Sequence, residues 1–173
     1  MENLVWIIIV VGWIIDRVLK LVVQDQFIPG ESVALIPNIF HFTYVLNPGA
    51  AFGLLAGQTW VFIVSAVIAL GVIVYMDFHI PRRDRLKRVA LGLIGSGALG
   101  NLFDRITTGK VVDYFDFRLN TQIWSYIFNF ADVMIVVGVG LLLLAFWREE
   151  RKERRLRAEE GAIEEPGDSD EKQ

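Results

Sequence analysis

Four long apolar stretches constrain this chain more than anything else in it. They run over residues 4–23, 59–76, 89–103 and 126–147. Each is long enough for a helix of roughly 15–22 residues at ~1.5 Å per residue. A bilayer's hydrocarbon core asks for about 20 residues, and fewer where polar ends reach the interface. The first stretch is interrupted only late, by Asp16, Arg17 and Lys20, and the third gains a turn from Asp104, Arg105 and Ile106. The core helices of a soluble protein show polar outward faces, and the second stretch has almost none. Hydrophobic residues make up 54% of the 173 residues, beyond the usual soluble composition. A cleaved signal peptide is a poor reading of the first stretch: Glu2 precedes it, no A-x-A-like site follows it, and three more apolar stretches come after. The expected fold is a membrane all-α core of four transmembrane helices with a small outer β-sheet. The expected division is a membrane domain over 1–147, with outer loops 24–58 and 104–125, and a charged tail over 148–173 that is partly disordered.

Basic residues set the orientation. Arg82, Arg83, Arg85, Lys87 and Arg88 lie in the 77–88 loop, and Arg148, Arg151, Lys152, Arg154, Arg155 and Arg157 open the tail. The opposite loops carry only Arg105, Lys110 and Arg118. Both termini and the 77–88 loop are therefore expected in the cytoplasm, with Trp60, Trp124 and Tyr126 as interfacial aromatics at outer ends. The tail reads as a short solvated helix that frays, with an acidic end. Its basic part suits either a topology signal or contact with membrane lipids. The net charge of −3 leaves no strongly basic folded surface, so nucleic acid is excluded as a partner. Without cysteine there is no disulfide, thiolate catalysis or Cys-bound metal.

The loop 24–58 is punctuated by Pro29-Gly30, Pro37, Pro48-Gly49 and Gly53, which break helices. Between them, residues 32–36 and 39–46 are rich in Val, Ile, Phe, Thr and Tyr and read as short paired strands.

Polar groups at membrane depth need a reason to be there, since a centrally placed carboxylate costs roughly 2.5–3.5 kcal/mol on insertion scales. In the expected topology one face collects Asp16, Lys20, Asn47, Asn101, Asp104, Arg105, Asp113, Asp116, Asn129 and Asp132 from separate segments of the chain. Asp16 and Lys20 are four apart on one helix and can pair. They suit a structural ion pair or a substrate contact. Arg105 suits either a headgroup anchor or a fixed contact to a ligand phosphate or carbonyl.

Asp132 is expected about six residues into the fourth span, roughly 9 Å along the helix from Tyr126. Asp113 sits in the apolar strand-like run Val111-Val112-Asp113-Tyr114-Phe115. Embedded carboxyls resist ionisation. Two brought together share a proton, so one acts as base on a water and the other as acid on a scissile carbonyl. The alternative is a proton- or ion-coupled transporter subunit using the same carboxylates. Asp116 competes with Asp113 for the partnership. Strand alternation puts Asp113 and Phe115 on one face, and Tyr114 and Asp116 on the other. A Ser–His protease fits badly, because Ser65 and Ser96 lie in spans while His41 and His79 lie in loops on opposite sides. Two isolated His residues without H-E-x-x-H make no typical zinc site. Gly92, Ser96 and Gly100 form a small-residue face suited to close helix packing.

Taken together, Asp16–Lys20, Asn47-Pro48-Gly49-Ala50-Ala51-Phe52, Gly100-Asn101-Leu102-Phe103-Asp104-Arg105, Val112-Asp113-Tyr114-Phe115 and Phe128-Asn129-Phe130-Ala131-Asp132 resemble bacterial lipoprotein signal peptidase (signal peptidase II). The order and spacing match over about residues 10–135. The resemblance implies an aspartic endopeptidase of the bacterial cytoplasmic (inner) membrane. It would cleave diacylglyceryl-modified prolipoproteins before the lipidated Cys. It implies Asp113 and Asp132 as the catalytic dyad. Asn47, Asn101, Arg105 and Asn129 become ligand-binding or dyad-orienting residues, and Asp16, Lys20 and Asp104 supporting polar residues. Globomycin-type inhibitors are implied as ligands, a monomer is expected, and no metal or other cofactor is needed.

Overall fold

The first apolar stretch forms α1 (Leu4–Gln26), one turn longer than its apolar run. In the computed structural model, which describes residues 3–49, 57–118 and 125–164, α1 is followed by β1 (Ser32–Ile36), β2 (Phe40–Asn47), α2 (Thr59–His79), α3 (Arg85–Thr108), β3 (Val111–Arg118), β4 (Ser125–Phe128) and α4 (Phe130–Glu164). The expected residues Ala50, Ala51, Phe52, Gly53 and Trp124, and the tail beyond Glu164, lie outside the described residues.

Four helices and a small antiparallel sheet are present as expected, with different boundaries. The 77–88 loop shrinks to residues 80–84, because α2 runs on to His79 and Asp84 caps α3 by accepting from the Lys87 amide at 3.1 Å. At its other end α3 runs on to Thr108. There Gly109 takes a left-handed φ of 74° and its N–H returns to the Arg105 carbonyl, a geometry that favours glycine. The fourth apolar stretch is not one helix. Ser125–Phe128 is a strand paired with β3, and α4 begins only at Phe130. Asp132 therefore lies in the first turn of α4 and not six residues inside a span. At its far end α4 continues unbroken through the charged stretch to Glu164.

Among the described residues, two helices are long and apolar enough to cross a membrane by length and composition: α2, and α4 over Phe130–Glu159. In α1 the apolar run contains Asp16, Arg17 and Lys20, and α3 begins and ends in charged turns.

The helix α3 is the hub, packed against α4, α1 and α2. Close approach requires its small residues. A Cβ on Gly95 would meet Ile9 at 2.7 Å, one on Gly97 would strike the Ala131 carbonyl, and one on Gly100 would strike the Asp16 carboxylate. Ser96 donates to the Ile8 carbonyl at 2.8 Å, so the Gly92–Ser96–Gly100 face does pack against α1. An apolar cluster of Val5, Ile9, Ile73 and Leu91 joins α1, α2 and α3. A second, of Val23, Tyr44, Val112 and Tyr114, seats the sheet on the end of α1. Large apolar side chains remain exposed along α1, α2 and α4, among them Ile7, Val18, Ile68, Phe78, Val136 and Leu143. Such continuous apolar surface marks contact with lipid or protein.

The sheet has strand order β1-β2-β3-β4, antiparallel throughout. One register shift, between Phe42 and Val45, inserts an extra β2 residue opposite β3. Beyond it Val45 pairs with Asp113 and Asn47 with Val111, which brings the end of β2 beside Asp113.

Candidate active site

The turn from β4 into α4 is built by two side chains. The Asp132 amide donates to Asn129 Oδ1 at 3.0 Å, and the Asn129 amide donates back to Asp132 Oδ2 at 3.1 Å. This is a reciprocal helix cap of the capping-box kind. It satisfies two backbone donors that a helix start otherwise leaves orphaned, and it fixes the Asp132 side chain. Asn129 is fully buried, and its amide nitrogen donates to Asp113 Oδ1 at 2.6 Å and to Asn101 Oδ1 at 3.1 Å. One residue thus links both carboxylates.

Each of the four carboxylate oxygens has a donor. Asn47 donates to Asp113 Oδ2 at 2.8 Å, and Asn101 to Asp132 Oδ1 at 2.8 Å. Asn47 is itself held by the Gly49 amide, 2.9 Å from its Oδ1.

Behind Asn101 lies a buried ionic cluster. Lys20 Nζ donates to Asn101 Oδ1 at 3.2 Å and pairs with Asp16 at 2.8 Å and Asp104 at 2.9 Å. Asp16 also accepts from the Ala131 amide, Asp104 accepts from the Val112 amide, and Arg17 pairs with Asp104 at 2.6 Å. Buried charges persist only when paired and hydrogen-bonded. Here the pairing ties α1, α3, α4 and β3 together directly beneath the two carboxylates.

Asp113 and Asp132 line one cavity of about 230 Å³ with Asn47, Asn101, Arg105 and Tyr126. Burial, foremost, and the negative charge of Asp132 push the Asp113 carboxyl up to about 7, against the opposing pull of the Asn47 and Asn129 amides and of Lys20. Asp113 therefore takes up and gives away its proton in the neutral range. The Arg105 guanidinium lies 4.7 Å from the centre of the Phe62 ring and donates to the Gly49 carbonyl at 3.3 Å. It lines the cavity. Phe62, Asn101 and Arg105 also wall a neighbouring groove of about 310 Å³, lined otherwise by small and apolar residues including Ala66, Ala69 and Ala98.

All nine expected site residues thus meet in one hydrogen-bonded assembly. Asp116 does not join it. It is buried on the far face of the sheet, where Thr43 donates to it at 2.7 Å and Arg118 pairs with it at 2.7 Å. Arg17, Phe62 and Tyr126 are additions. Arg17 stands beside Asp16 and was readable as a possible ion-pair partner. Tyr126 lines the cavity although its sequence position suggested an interfacial anchor. Phe62 carries no signal within its apolar run. Among the described residues no group of His, Cys, Asp or Glu is arranged to hold a metal.

Comparison with known proteins agrees along most of the chain. A family model for Signal peptidase (SPase) II matches residues 8–148. A lipoprotein signal peptidase of Desulfitobacterium hafniense is 60% identical over 152 residues, covering 88% of this chain and 98% of its own. One from Halothermothrix orenii is 40% identical over 148 residues, covering 86% and 98%. A bacterial membrane enzyme solved by the in meso method superposes with a TM-score of 0.76 at 33% identity, covering 84% of this chain and 88% of its own. With sequence and fold in accord, the chain belongs to the signal peptidase II family and is a bacterial membrane aspartic peptidase.

Proposed function

We propose that this chain removes the signal peptides of diacylglyceryl-modified prolipoproteins by cutting just before the lipidated Cys, with Asp113 and Asp132 as the catalytic dyad. The observation that carries this reading is the joint exposure of the two carboxylates in one small cavity, linked through Asn129. The ionised carboxylate takes a proton from water, whose oxygen attacks the scissile carbonyl carbon. The protonated carboxyl gives its proton to the carbonyl oxygen. The tetrahedral diol then collapses: the carboxyl that took the water proton gives it to the leaving nitrogen, the C–N bond breaks, and one diol hydroxyl gives its proton to the other carboxylate as the carbonyl re-forms, which leaves the pair with one proton. The proton belongs to the coupled pair and not to one residue. Asn47, Asn101 and Asn129 hold the dyad's oxygens in place, and Arg105 meets a carbonyl of the bound peptide. Asp16, Lys20 and Asp104 support Asn101 from below.

In this reading all four helices span the inner membrane, α1 and α3 included, because their charges are paired within the bundle. Both termini are cytoplasmic, residues 1–147 form the peptidase domain and 148–173 its cytoplasmic tail. The protein works as a monomer with the active site near the outer face, and globomycin-type cyclic peptides bind in the cavity. The test is purified protein in detergent with a diacylglyceryl-modified precursor. A single cut before the lipidated Cys, blocked by globomycin, is expected. An uncut precursor would overturn the reading, and carboxylate-dependent proton movement without cleavage would favour the transporter. Reporter fusions after Trp147 and near Ser32 should report cytoplasm and outside respectively.

A further inference from the structure

The sheet is two-faced. Ser32, Thr43, Asp116 and Arg118 make one hydrogen-bonded network: Ser32 Oγ lies 2.8 Å from Thr43 Oγ1, Thr43 donates to Asp116, and Arg118 donates to both Ser32 and Asp116. Strand alternation puts the opposite residues on the other face. There the cross-strand pairs Phe40↔Phe117, Phe42↔Phe115, Phe115↔Phe128 and Phe117↔Tyr126 bring six rings together. Neighbouring centroids are 4.6 Å apart for Phe40–Phe117, 5.6 Å for Phe42–Phe115 and for Phe115–Phe128, and 5.4 Å for Tyr126–Phe128. Phe117 and Tyr126 remain 43% and 45% exposed. The strip crosses three strands, about 10 Å between the outer two. The same face carries Asp113, paired across from Val45, and Tyr126 lines the catalytic cavity. The strip therefore begins at the dyad and runs away from it without a charged side chain.

We infer that this aromatic face seats the diacylglyceryl chains of the bound precursor. The inference rests on the prolipoprotein reading above and goes beyond it by naming a docking surface. The lipid is attached to the residue that follows the scissile bond, so its chains leave the cavity within one residue of the dyad. A strip of rings, half-exposed at Phe117 and Tyr126 and continuous with that cavity, meets them there. Bulk lipid would need no such continuity. The neighbouring groove along α2 is left for the apolar signal segment.

The test compares two precursors differing only in acyl length, one with two sixteen-carbon chains and one with two acetyl groups, cleaved in detergent. The variants are Phe117→Ser and Phe40→Ser, singly and together, neither residue lining the catalytic cavity. For the long-chain precursor the double variant should raise KM by about tenfold with little change in kcat. Cleavage of the acetyl precursor should stay at the wild-type rate, which also reports intact folding. Equal loss with both precursors, or no loss with either, overturns the inference. If the variants do not fold, a photoreactive group at the end of the long chain, used with wild-type protein, should label β2 or β3. Labelling of α2 or α4 alone overturns the inference, as does equal labelling of the strip by a photoreactive phosphatidylcholine that precursor does not displace. Wild-type protein that cuts neither precursor fails the prolipoprotein reading and this inference with it. Wild-type cleavage of both with no chain-length effect in the variants fails this inference alone.

Discussion

Asn129 and Asp132 cap one another, so the group that starts α4 also fixes one of the two carboxylates that line the cavity. Fold and chemistry are joined at this residue and can be separated by substitution. Asn129→Ala should lose roughly 1 kcal/mol of stability with the cap and nearly all cleavage, because Asp113 and Asn101 lose a donor as well. Asn129→Ser restores a capping oxygen but cannot reach both Asp113 and Asn101. Its melting temperature should recover toward wild type while its cleavage does not. Parallel recovery of both would mean that Asn129 acts only through the helix start.

The dyad assignment predicts that Asp113→Asn and Asp132→Asn each lower kcat by several orders of magnitude, and that the double variant is little worse, since groups acting as a unit are non-additive. Asp116→Asn should keep most activity per folded molecule. Its cost is a weakened buried pair with Arg118 and Thr43, of about 1–3 kcal/mol. Precursor cleavage with a parallel thermal melt decides it. A dead Asp116→Asn beside an active Asp113→Asn would reverse the assignment.

The pH response follows from the raised Asp113 carboxyl. Asp113 holds its proton below about 7 and loses it as pH rises through that value, so kcat should fall on that alkaline limb. Stability has the same sign. Between 3.8 and about 7 the folded chain holds this proton more tightly than the unfolded chain does. The contribution of Asp113 to stability therefore declines as pH rises through that window and is constant above it. Asp113→Asn should remove this slope, as melting temperatures taken at a series of pH values would reveal. An unchanged slope would show that Asp113 does not titrate there.

Arg105→Lys keeps the charge but loses the planar contact with Phe62 and the geometry of the guanidinium fork. Cleavage should drop by on the order of tenfold or more, with membrane insertion and melting temperature near wild type. Wild-type turnover would demote Arg105 to an anchor.

Lys20 is wholly buried between Asp16 and Asp104. Lys20→Met leaves two buried carboxylates without their shared cation and should cost about 3–5 kcal/mol. Adding Asp16→Asn should recover part of that loss, because it removes one of the stranded charges. Denaturant titration in mild detergent measures both. A variant as stable as wild type would mean that water replaces the cation.

Much of this was legible in the sequence because polar residues at membrane depth are few and each needs a partner. Asp16, Lys20, Asn101, Asp104, Asn129 and Asp132 stand out against apolar neighbours, and their order alone suggests a common face. The fourth stretch was misjudged at its start. Tyr126-Ile127-Phe128 is apolar enough for either strand or helix, and a run of three carries no period to choose between them. The Asn129-x-x-Asp132 spacing held the missing signal, a cap that marks where the helix begins. Phe62 was invisible, and Arg17 readable only as a possible ion-pair partner, for a different reason. Their roles depend on which neighbour α3 brings within reach, and that is set by packing.

The glycine-rich seam of α3 has a consequence for how this chain can vary. Gly95, Gly97 and Gly100 leave no space for even one methyl group, and what an added carbon would strike at Gly100 is the carboxylate that pairs with Lys20. A change there would be transmitted through the Asp16–Lys20 pair and the Lys20–Asn101 hydrogen bond to the floor of the cavity. Along α2, where Ile73 is the buried residue, outward positions such as Val64, Val67, Ile68 and Val72 can exchange one apolar side chain for another without touching the protein interior. A library randomised over both helices should thus return nearly free drift in one and near-silence in the other, a map of tolerance drawn by contact with lipid on one side and with backbone on the other.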